Sequence, residues 1–90
     1  MPRLASFSGV VVMIYFGDHP SPHVHARVGR PGNRGVVEAC FAIETGELID
    51  GVIPAAQASE VTRWCRRHRE ALHADWTRAQ ADQHPTGRYD

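Results

Sequence analysis

The stretch VVVMIYF, residues Val10–Phe16, decides the fold of this chain. It joins β-branched, aliphatic and aromatic residues without interruption, and Gly9 and Gly17 bound it. A short apolar run of this kind is typical of a strand that is buried on both faces and therefore central in its sheet. The run is also far shorter than the roughly 20 residues that span a bilayer. The sequence therefore predicts a sheet built around this strand and no membrane span.

The segments that follow predict further strands. Residues 23–28 alternate weakly between apolar and polar, and residues 36–43 place Val37, Ala39, Phe41 and Ile43 on one face. A turn over residues 44–47 contains a glycine that supplies a positive φ, and a short run over residues 48–53 follows it. Consecutive strands with short turns favour an antiparallel sheet of three to four strands.

A helical period replaces the alternation from Pro54 to about Gln83. Proline suits the first turn of a helix, and apolar residues then recur at steps of three and four. This stripe consists of Val61, Trp64, Cys65, His68, Leu72, Trp76 and Ala79. A straight helix over residues 54–81 would be about 42 Å long, which is long for a globule whose radius of gyration should be ~12 Å. We therefore expect the helix to bend or to overhang the sheet.

Length and charge limit the possible architecture and disfavour one class of function. The 90 residues predict one α+β domain, with strands over about 10–53, a C-terminal helix over about 54–83 on one face of the sheet, and a frayed tail over 84–90. Ten Arg balance ten acidic residues, so the net charge of zero disfavours a strongly electrostatic nucleic-acid binder. A domain this small should be only modestly stable or depend on a partner.

The cysteines and the N-terminal residues predict a cytoplasmic protein. Cys40 and Cys65 are not arranged as a Cys-x-x-Cys pair, and we expect both to be reduced, buried and inert. The N-terminal residues lack the pattern of a secretory signal peptide.

The composition is unusual in its six histidines, three of which lie within seven residues. Asp18, His19, His23 and His25 could together hold a divalent transition metal such as zinc, because His23 and His25 share one face of a strand about 6.6 Å apart. His19 could fold back from the proline-stiffened loop as a third ligand, and Asp18 could be a ligand or could orient an imidazole. We expect this cluster to lie at one end of the sheet and to remain accessible to solvent.

Other interpretations of the histidines are open at this point. They could be solvated on an exposed strand, cap backbone groups in the loop, or contact a partner or an anionic ligand. His68 lies in the apolar stripe and Asp75 near its edge. Each of these two side chains could form hydrogen bonds with groups near it, or one of them could contact the histidine loop and support a site there.

Arginines on the predicted helix form a second candidate site. Arg63, Arg66 and Arg67 could bind a phosphate or another anion. A solvated helix face with acidic partners at helical spacing explains them equally well.

The order of motifs resembles a family of small bacterial proteins, the domain of unknown function 4160. The resemblance covers almost the whole chain. Its motifs are Met1-Pro2, Phe7-x-Gly9, Tyr15-Phe16-x-Asp18-His19-x-x-Pro22-His23-x-His25, Thr45-Gly46-Glu47, Gly51-x-x-Pro54 and Trp64-x-x-x-His68-Arg69-Glu70-x-Leu72-x-x-x-Trp76. The resemblance implies a cytoplasmic bacterial protein, often encoded beside another small protein in a pair that resembles a toxin–antitoxin module. It implies no reaction.

Three function hypotheses follow from these observations. The first is a protein-binding module of a toxin–antitoxin-like pair, whose partner is a small protein encoded nearby or a second copy of the chain. The second is a metal-dependent enzyme, a hydrolase or a nuclease, that uses the histidine cluster. The third is a nucleic-acid-binding regulator that uses the helix arginines.

Overall fold

The computed structural model describes residues 3–18, 20–29, 35–85 and 89. The strands in these ranges are β1 (Arg3–Phe7), β2 (Val10–Met13), β3 (His23–Val28), β4 (Val37–Ala42) and β5 (Leu48–Gly51), and the helices are α1 (Ala55–Arg67) and α2 (Arg69–Gln80). The strands form one sheet in chain order, with each pair of neighbours antiparallel. The α+β class and the antiparallel meander are therefore confirmed.

The sheet differs in detail from the predicted one. The described residues contain five strands rather than three to four, because Arg3–Phe7 pairs with β2 as an edge strand. This strand is half exposed and lacks an apolar run, so the sequence pattern gives little sign of it. The run Val10–Phe16 forms a strand only as far as Met13, and β3 rather than β2 is central.

One face of the sheet packs against the helices and forms the core. The strand residues of the buried core cluster are Val10, Val12, Val24, Ala26, Ala39 and Phe41. Its helix residues are Val61, Trp64, Cys65, Leu72, Trp76 and Ala79. The helical stripe predicted from the sequence is thus the buried face, except that His68 is only partly buried. Val37 is exposed, although its position in the alternation predicted a buried side chain.

The predicted single helix over residues 54–83 is wrong, because the helix is interrupted at His68. This residue has φ −110° and ψ 23°, outside the α-helical region, and it ends α1 and precedes α2. The longest dimension of the molecule is 33 Å, which is shorter than the roughly 42 Å that a straight helix would need. The chain resolves the mismatch by bending, and Trp76 stays 8% exposed instead of overhanging the sheet.

Tyr89, within the segment predicted to be a frayed tail, is packed against the core. Tyr89 is 9% exposed, and its ring packs on Trp64 and His68 with centroid distances of 5.1 and 5.3 Å. Its hydroxyl donates a 2.5 Å hydrogen bond to Oδ2 of the buried Asp75. The prediction for residues 84–90 therefore fails at Tyr89, while residues 86–88 and 90 lie outside the described residues.

None of the helices in the described ranges has the length and apolar character needed to cross a membrane.

Candidate metal centre

The alternation of β3 places two histidines on the same face of the sheet. Val24 and Ala26 point into the core, so His23 and His25 lie on the opposite face, two residues apart. The pairing register puts His25 directly across from Met13 of β2 and Cys40 of β4. The centroids of the two imidazole rings are 5.0 Å apart. The geometry of one strand therefore brings the two side chains together.

Asp18 closes the loop between β2 and β3 over these histidines. Its Oδ2 atom lies 2.9 Å from Nε2 of His23 and 2.9 Å from Nε2 of His25. Three sequence-predicted site residues thus converge on one point. His19, the fourth residue of the predicted ligand set, lies outside the described residues.

The opposite nitrogen of each ring is held by an acceptor. Nδ1 of His23 donates to the main-chain oxygen of Ser21 at 2.7 Å, and Nδ1 of His25 lies 3.2 Å from Oε2 of Glu38. Histidines that bind metals almost always donate their second nitrogen to a carboxylate or a backbone carbonyl in this way. The carbonyl oxygen of Ser21 can only accept, so Nδ1 of His23 carries a proton and its Nε2 is the nitrogen that could bind a metal. His25 has a carboxylate oxygen beside each nitrogen, with Asp18 at Nε2 and Glu38 at Nδ1.

One oxygen of Asp18 lies within hydrogen-bond distance of both rings, 2.9 Å from each Nε2 atom. A carboxylate oxygen only accepts, so each contact is a hydrogen bond when the Nε2 atom carries a proton. A cation that replaced these protons would have the same three atoms as ligands. Neighbouring donors in a tetrahedral zinc site lie about 3.4 Å apart, given bond lengths of about 2.0–2.2 Å, so the three atoms would move apart by about 0.5 Å to bind zinc.

Cys40 offers a second, less compact donor set. One ligand atom from each of His23, His25 and Cys40 can be chosen so that all three lie within 4.8 Å of one another. The Sγ atom, however, lies 3.4 Å from Nδ1 of His25, on the side of the ring away from Asp18. Burial raises the pKa of the Cys40 thiol, and the carboxylates of Asp50, Glu38 and Asp18 raise it further. The set that contains Asp18 is therefore the better match to a metal.

Neighbouring side chains hold the two rings in place. Tyr15 stacks on His25 with a centroid distance of 3.8 Å and an interplanar angle of 10°, and Trp76 packs on His23 at 5.2 Å. Burial raises the pKa of the Tyr15 hydroxyl, and Glu38 raises it further. Rings packed in this way have little rotational freedom, which favours a preformed site.

The site is less accessible to solvent than the sequence predicted. The side chains of His23, His25 and Asp18 are 6%, 12% and 12% exposed. Packing by Tyr15 and Trp76 covers the faces of the two histidine rings. The prediction that the cluster is accessible to solvent is wrong for these three residues, and their role as metal ligands stays a prediction.

The two predicted supporting residues lie elsewhere. His68 packs against the rings of Trp64 and Tyr89, and Asp75 accepts the hydrogen bond from Tyr89. The α2 residue that reaches His23 is Trp76 rather than Asp75. Their placement favours the local interpretation of both residues.

The three candidate anion-binding arginines separate into two groups. Arg66 donates from Nε to the main-chain oxygen of Thr45 at 2.9 Å and so ties α1 to the β4–β5 turn. Arg63 and Arg67 are exposed, and both line a cavity of about 280 Å³ beside Trp64.

Sequence reasoning missed Glu38 and Cys40 as neighbours of the histidines. They are 13 and 15 residues from His25 along the chain, and only the register of β3 with β4 brings them together. The predicted alternation of residues 36–43 contained the signal. If Ala39 and Phe41 point inward, then Glu38 and Cys40 must point to the face that carries the histidines.

Comparisons with known proteins give one finding. The family model described as Domain of unknown function (DUF4160) matches residues 9–77. No match was found among curated proteins or among solved structures. The matched range includes β2 to α1 and most of α2, and therefore contains Asp18, His23, His25 and Glu38.

Proposed function

This chain belongs to the DUF4160 family, and since that family has no assigned activity, we propose from the chain's own residues that it binds one divalent transition metal. The ligands are Nε2 of His23, Nε2 of His25 and the carboxylate of Asp18. The observation that carries the proposal is the convergence of both Nε2 atoms on a single oxygen of Asp18 at 2.9 Å.

The donor set selects the class of metal. Two imidazoles and one carboxylate suit zinc and other first-row transition metals better than calcium or magnesium, which prefer oxygen ligands. Three protein ligands leave a coordination position for water or substrate, as in catalytic sites, whereas structural zinc sites have four protein ligands. This supports the metal-dependent enzyme hypothesis, with a hydrolase or nuclease as the reaction class.

The chain's own residues have distinct roles in such a centre. Glu38 and the main-chain oxygen of Ser21 orient the two rings through their Nδ1 atoms. Tyr15 and Trp76 cover the ring faces and exclude water from them. A bound zinc ion would act as a Lewis acid and lower the pKa of a coordinated water.

Metal analysis of untagged protein tests this proposal. Wild-type protein, loaded with zinc and passed through a desalting column, should retain close to one equivalent, while His23→Ala and His25→Ala should retain little. Cys40→Ala separates the two donor sets, because it should keep the metal if Asp18 is the third ligand. Loss of metal from Cys40→Ala with retention in Asp18→Asn would contradict the ligand set proposed above.

A second candidate function is a protein-binding module of a toxin–antitoxin-like pair, and the edge strand β5 favours it. Leu48, Ile49 and Val52 are 41%, 51% and 77% exposed on or just after this strand. An exposed edge strand with apolar side chains can pair with a strand of another chain. The partner would be a small protein encoded nearby or a second copy of this chain, and the location would be the cytoplasm.

Ultracentrifugation with and without the product of the neighbouring gene tests the second candidate. Ile49→Lys should abolish the complex, because a charge on an edge strand opposes strand pairing. Val37→Lys, at a similarly exposed position on β4, is the matched control and should leave it intact. A chain that is monomeric alone and in the mixture would contradict this candidate while leaving the metal centre untouched.

A further inference from the structure

A cavity between β1 and α1 is separate from the metal centre. Its volume is about 280 Å³, and its lining residues are Phe7, Ser8, Glu60, Arg63, Trp64 and Arg67. Drug-sized ligands usually occupy pockets of roughly 300–1,000 Å³, so this one suits a smaller molecule. The residues from α1 lie at steps of three and four and therefore share one face of the helix.

Two polar atoms of the lining residues are buried without a partner. Oε2 of Glu60 and Nε1 of Trp64 make no hydrogen bond within the described part of the chain, and Trp64 is only 5% exposed. Such atoms cost stability unless a ligand or water satisfies them. One is an acceptor and the other a donor, so a ligand that satisfies both must carry a donor and an acceptor.

The charged side chains around the cavity also include both signs. The guanidinium groups of Arg63 and Arg67 make no ion pair or hydrogen bond with any residue in the described ranges, in contrast to Arg66, which donates to Thr45. Two available cations favour a carboxylate. The carboxylate of Glu60 on the same helix face repels a simple anion and favours an ammonium group.

The walls between these charged groups are aromatic and already positioned. The rings of Phe7 and Trp64 pack at a centroid distance of 5.9 Å. Gln57 Nε2 donates to the main-chain oxygen of Ser8 at 2.7 Å, which ties the β1–β2 turn to α1. An apolar side chain could therefore lie against this wall, while a shift of the Glu60 and Trp64 side chains would bring their buried polar atoms into contact with the ligand.

From these features we propose that the cavity binds a free α-amino acid with an apolar side chain. The ligand carboxylate would be held by Arg63, Arg67 and the indole N–H of Trp64. The ammonium group would donate to Glu60, and the side chain would contact Phe7 and the face of Trp64. The site is independent of the proposed metal centre, since the two share no residue.

Nuclear magnetic resonance of ¹⁵N-labelled protein tests the proposal with L-leucine as the probe. The chain has two tryptophans, and the Trp64 indole signal is assigned through its contact with Phe7. L-leucine should shift that signal saturably and leave the Trp76 signal in place. N-acetyl-L-leucine, which lacks the ammonium group, and 3-methylbutylamine, which lacks the carboxylate, should each bind at least about tenfold more weakly.

Substitutions of the lining residues test which side chains contact the ligand. Glu60→Gln, Arg63→Gln and Arg67→Gln should each weaken leucine binding by about tenfold, whereas Arg3→Gln, on β1 outside the cavity, should not. An unchanged Trp76 signal shows that each variant is folded. Equal binding of N-acetyl-L-leucine would overturn the proposal in favour of a simple anion site. Absence of a saturable Trp64 shift up to about 20 mM leucine, well beyond a millimolar dissociation constant, would overturn it altogether.

Discussion

Oε2 of Glu38 lies 3.2 Å from Nδ1 of His25, across the pairing of β3 with β4. This contact orients the His25 ring so that Nε2 faces Asp18. Arg27 in turn lies 3.3 Å from the other oxygen of Glu38 and holds the carboxylate in place. Glu38 is thus a positioning residue for the proposed metal centre.

Replacing Glu38 by Gln should weaken zinc binding by about 10–100-fold, the usual effect of removing such a partner of a ligating histidine. The fold should be unaffected, because the Glu38 side chain is 35% exposed. Isothermal titration with zinc measures the effect, and Glu47→Gln, at an exposed position in the β4–β5 turn, is the control. Equal affinity of Glu38→Gln and wild type would show that this contact does not orient a ligand.

Trp64 anchors the packing of α1 on the sheet, and its replacement by alanine should cost roughly 3–5 kcal/mol. The side chain is 5% exposed and contacts the rings of Phe7 and Tyr89. A loss of that size is a large share of the stability of a small domain. Chemical denaturation measures it, with Val52→Ala at a 77% exposed position as the control. A loss under about 1 kcal/mol would contradict the burial of Trp64.

The β4–β5 turn requires glycine at position 46 for two reasons. Gly46 has φ +77°, and a Cβ atom there would lie 2.8 Å from the main-chain oxygen of Thr62 in α1. Gly17 has φ +63°, but a Cβ atom added there would meet nothing within 4 Å, so Gly17→Ala isolates the backbone cost. Gly46→Ala should therefore destabilise the fold more than Gly17→Ala, by at least about 1 kcal/mol. Equal losses in thermal denaturation would mean that the turn and α1 are not in close contact.

Stability should fall at alkaline pH because several groups in the described ranges have a raised pKa in the folded state, and Cys65 and Tyr89 have the largest shifts. Burial raises the pKa of Cys65 from 9.0 to about 12, and burial together with the hydrogen bond to Asp75 raises the pKa of Tyr89 above its ordinary 10.0. A raised pKa in the folded state gives stability that is complete below the unfolded pKa and is lost as pH rises above it. The melting temperature should therefore decline from about pH 9 upward.

Tyr89→Phe isolates the contribution of Tyr89. It should lose about 1 kcal/mol at neutral pH, because the hydrogen bond to Asp75 is gone, and its further decline above about pH 10 should be shallower than that of wild type. Parallel declines in the two proteins would show that Tyr89 does not ionise on unfolding.

The sequence predicted the parts of the fold that rest on local pattern. Residues 23–28 form a strand with the predicted bounds, and the helical stripe from Val61 to Ala79 is buried at every position except His68. The sequence did not predict the strand over Arg3–Phe7, because an edge strand needs little apolar surface. The length of the helix predicted that it would bend or overhang the sheet, but the position of the break at His68 was not predicted, because the apolar period continues through that residue.

The sequence could predict only those site residues that lie close together along the chain. Asp18, His23 and His25 are close in sequence, and a short loop and one strand bring them together. Strand register brings Glu38 to His25, and Tyr89, which bonds to Asp75, lies in a segment whose sequence is typical of a tail. Contacts of this kind follow from tertiary packing rather than from a periodic pattern.

The most direct test of the proposed metal centre is calorimetric zinc titration at about pH 7.5 and about pH 5.5. The proteins to compare are wild type, His23→Ala, His25→Ala and Asp18→Asn. His84→Ala is the matched control, because that exposed residue lies outside the centre. We expect one zinc site in wild type and in the control, and zinc binding at least about tenfold weaker in the other variants. Zinc binding should also be weaker at the lower pH, because protons compete for the imidazole nitrogens. Wild-type protein that retains no metal from purification and releases no heat with zinc would contradict the proposed metal centre.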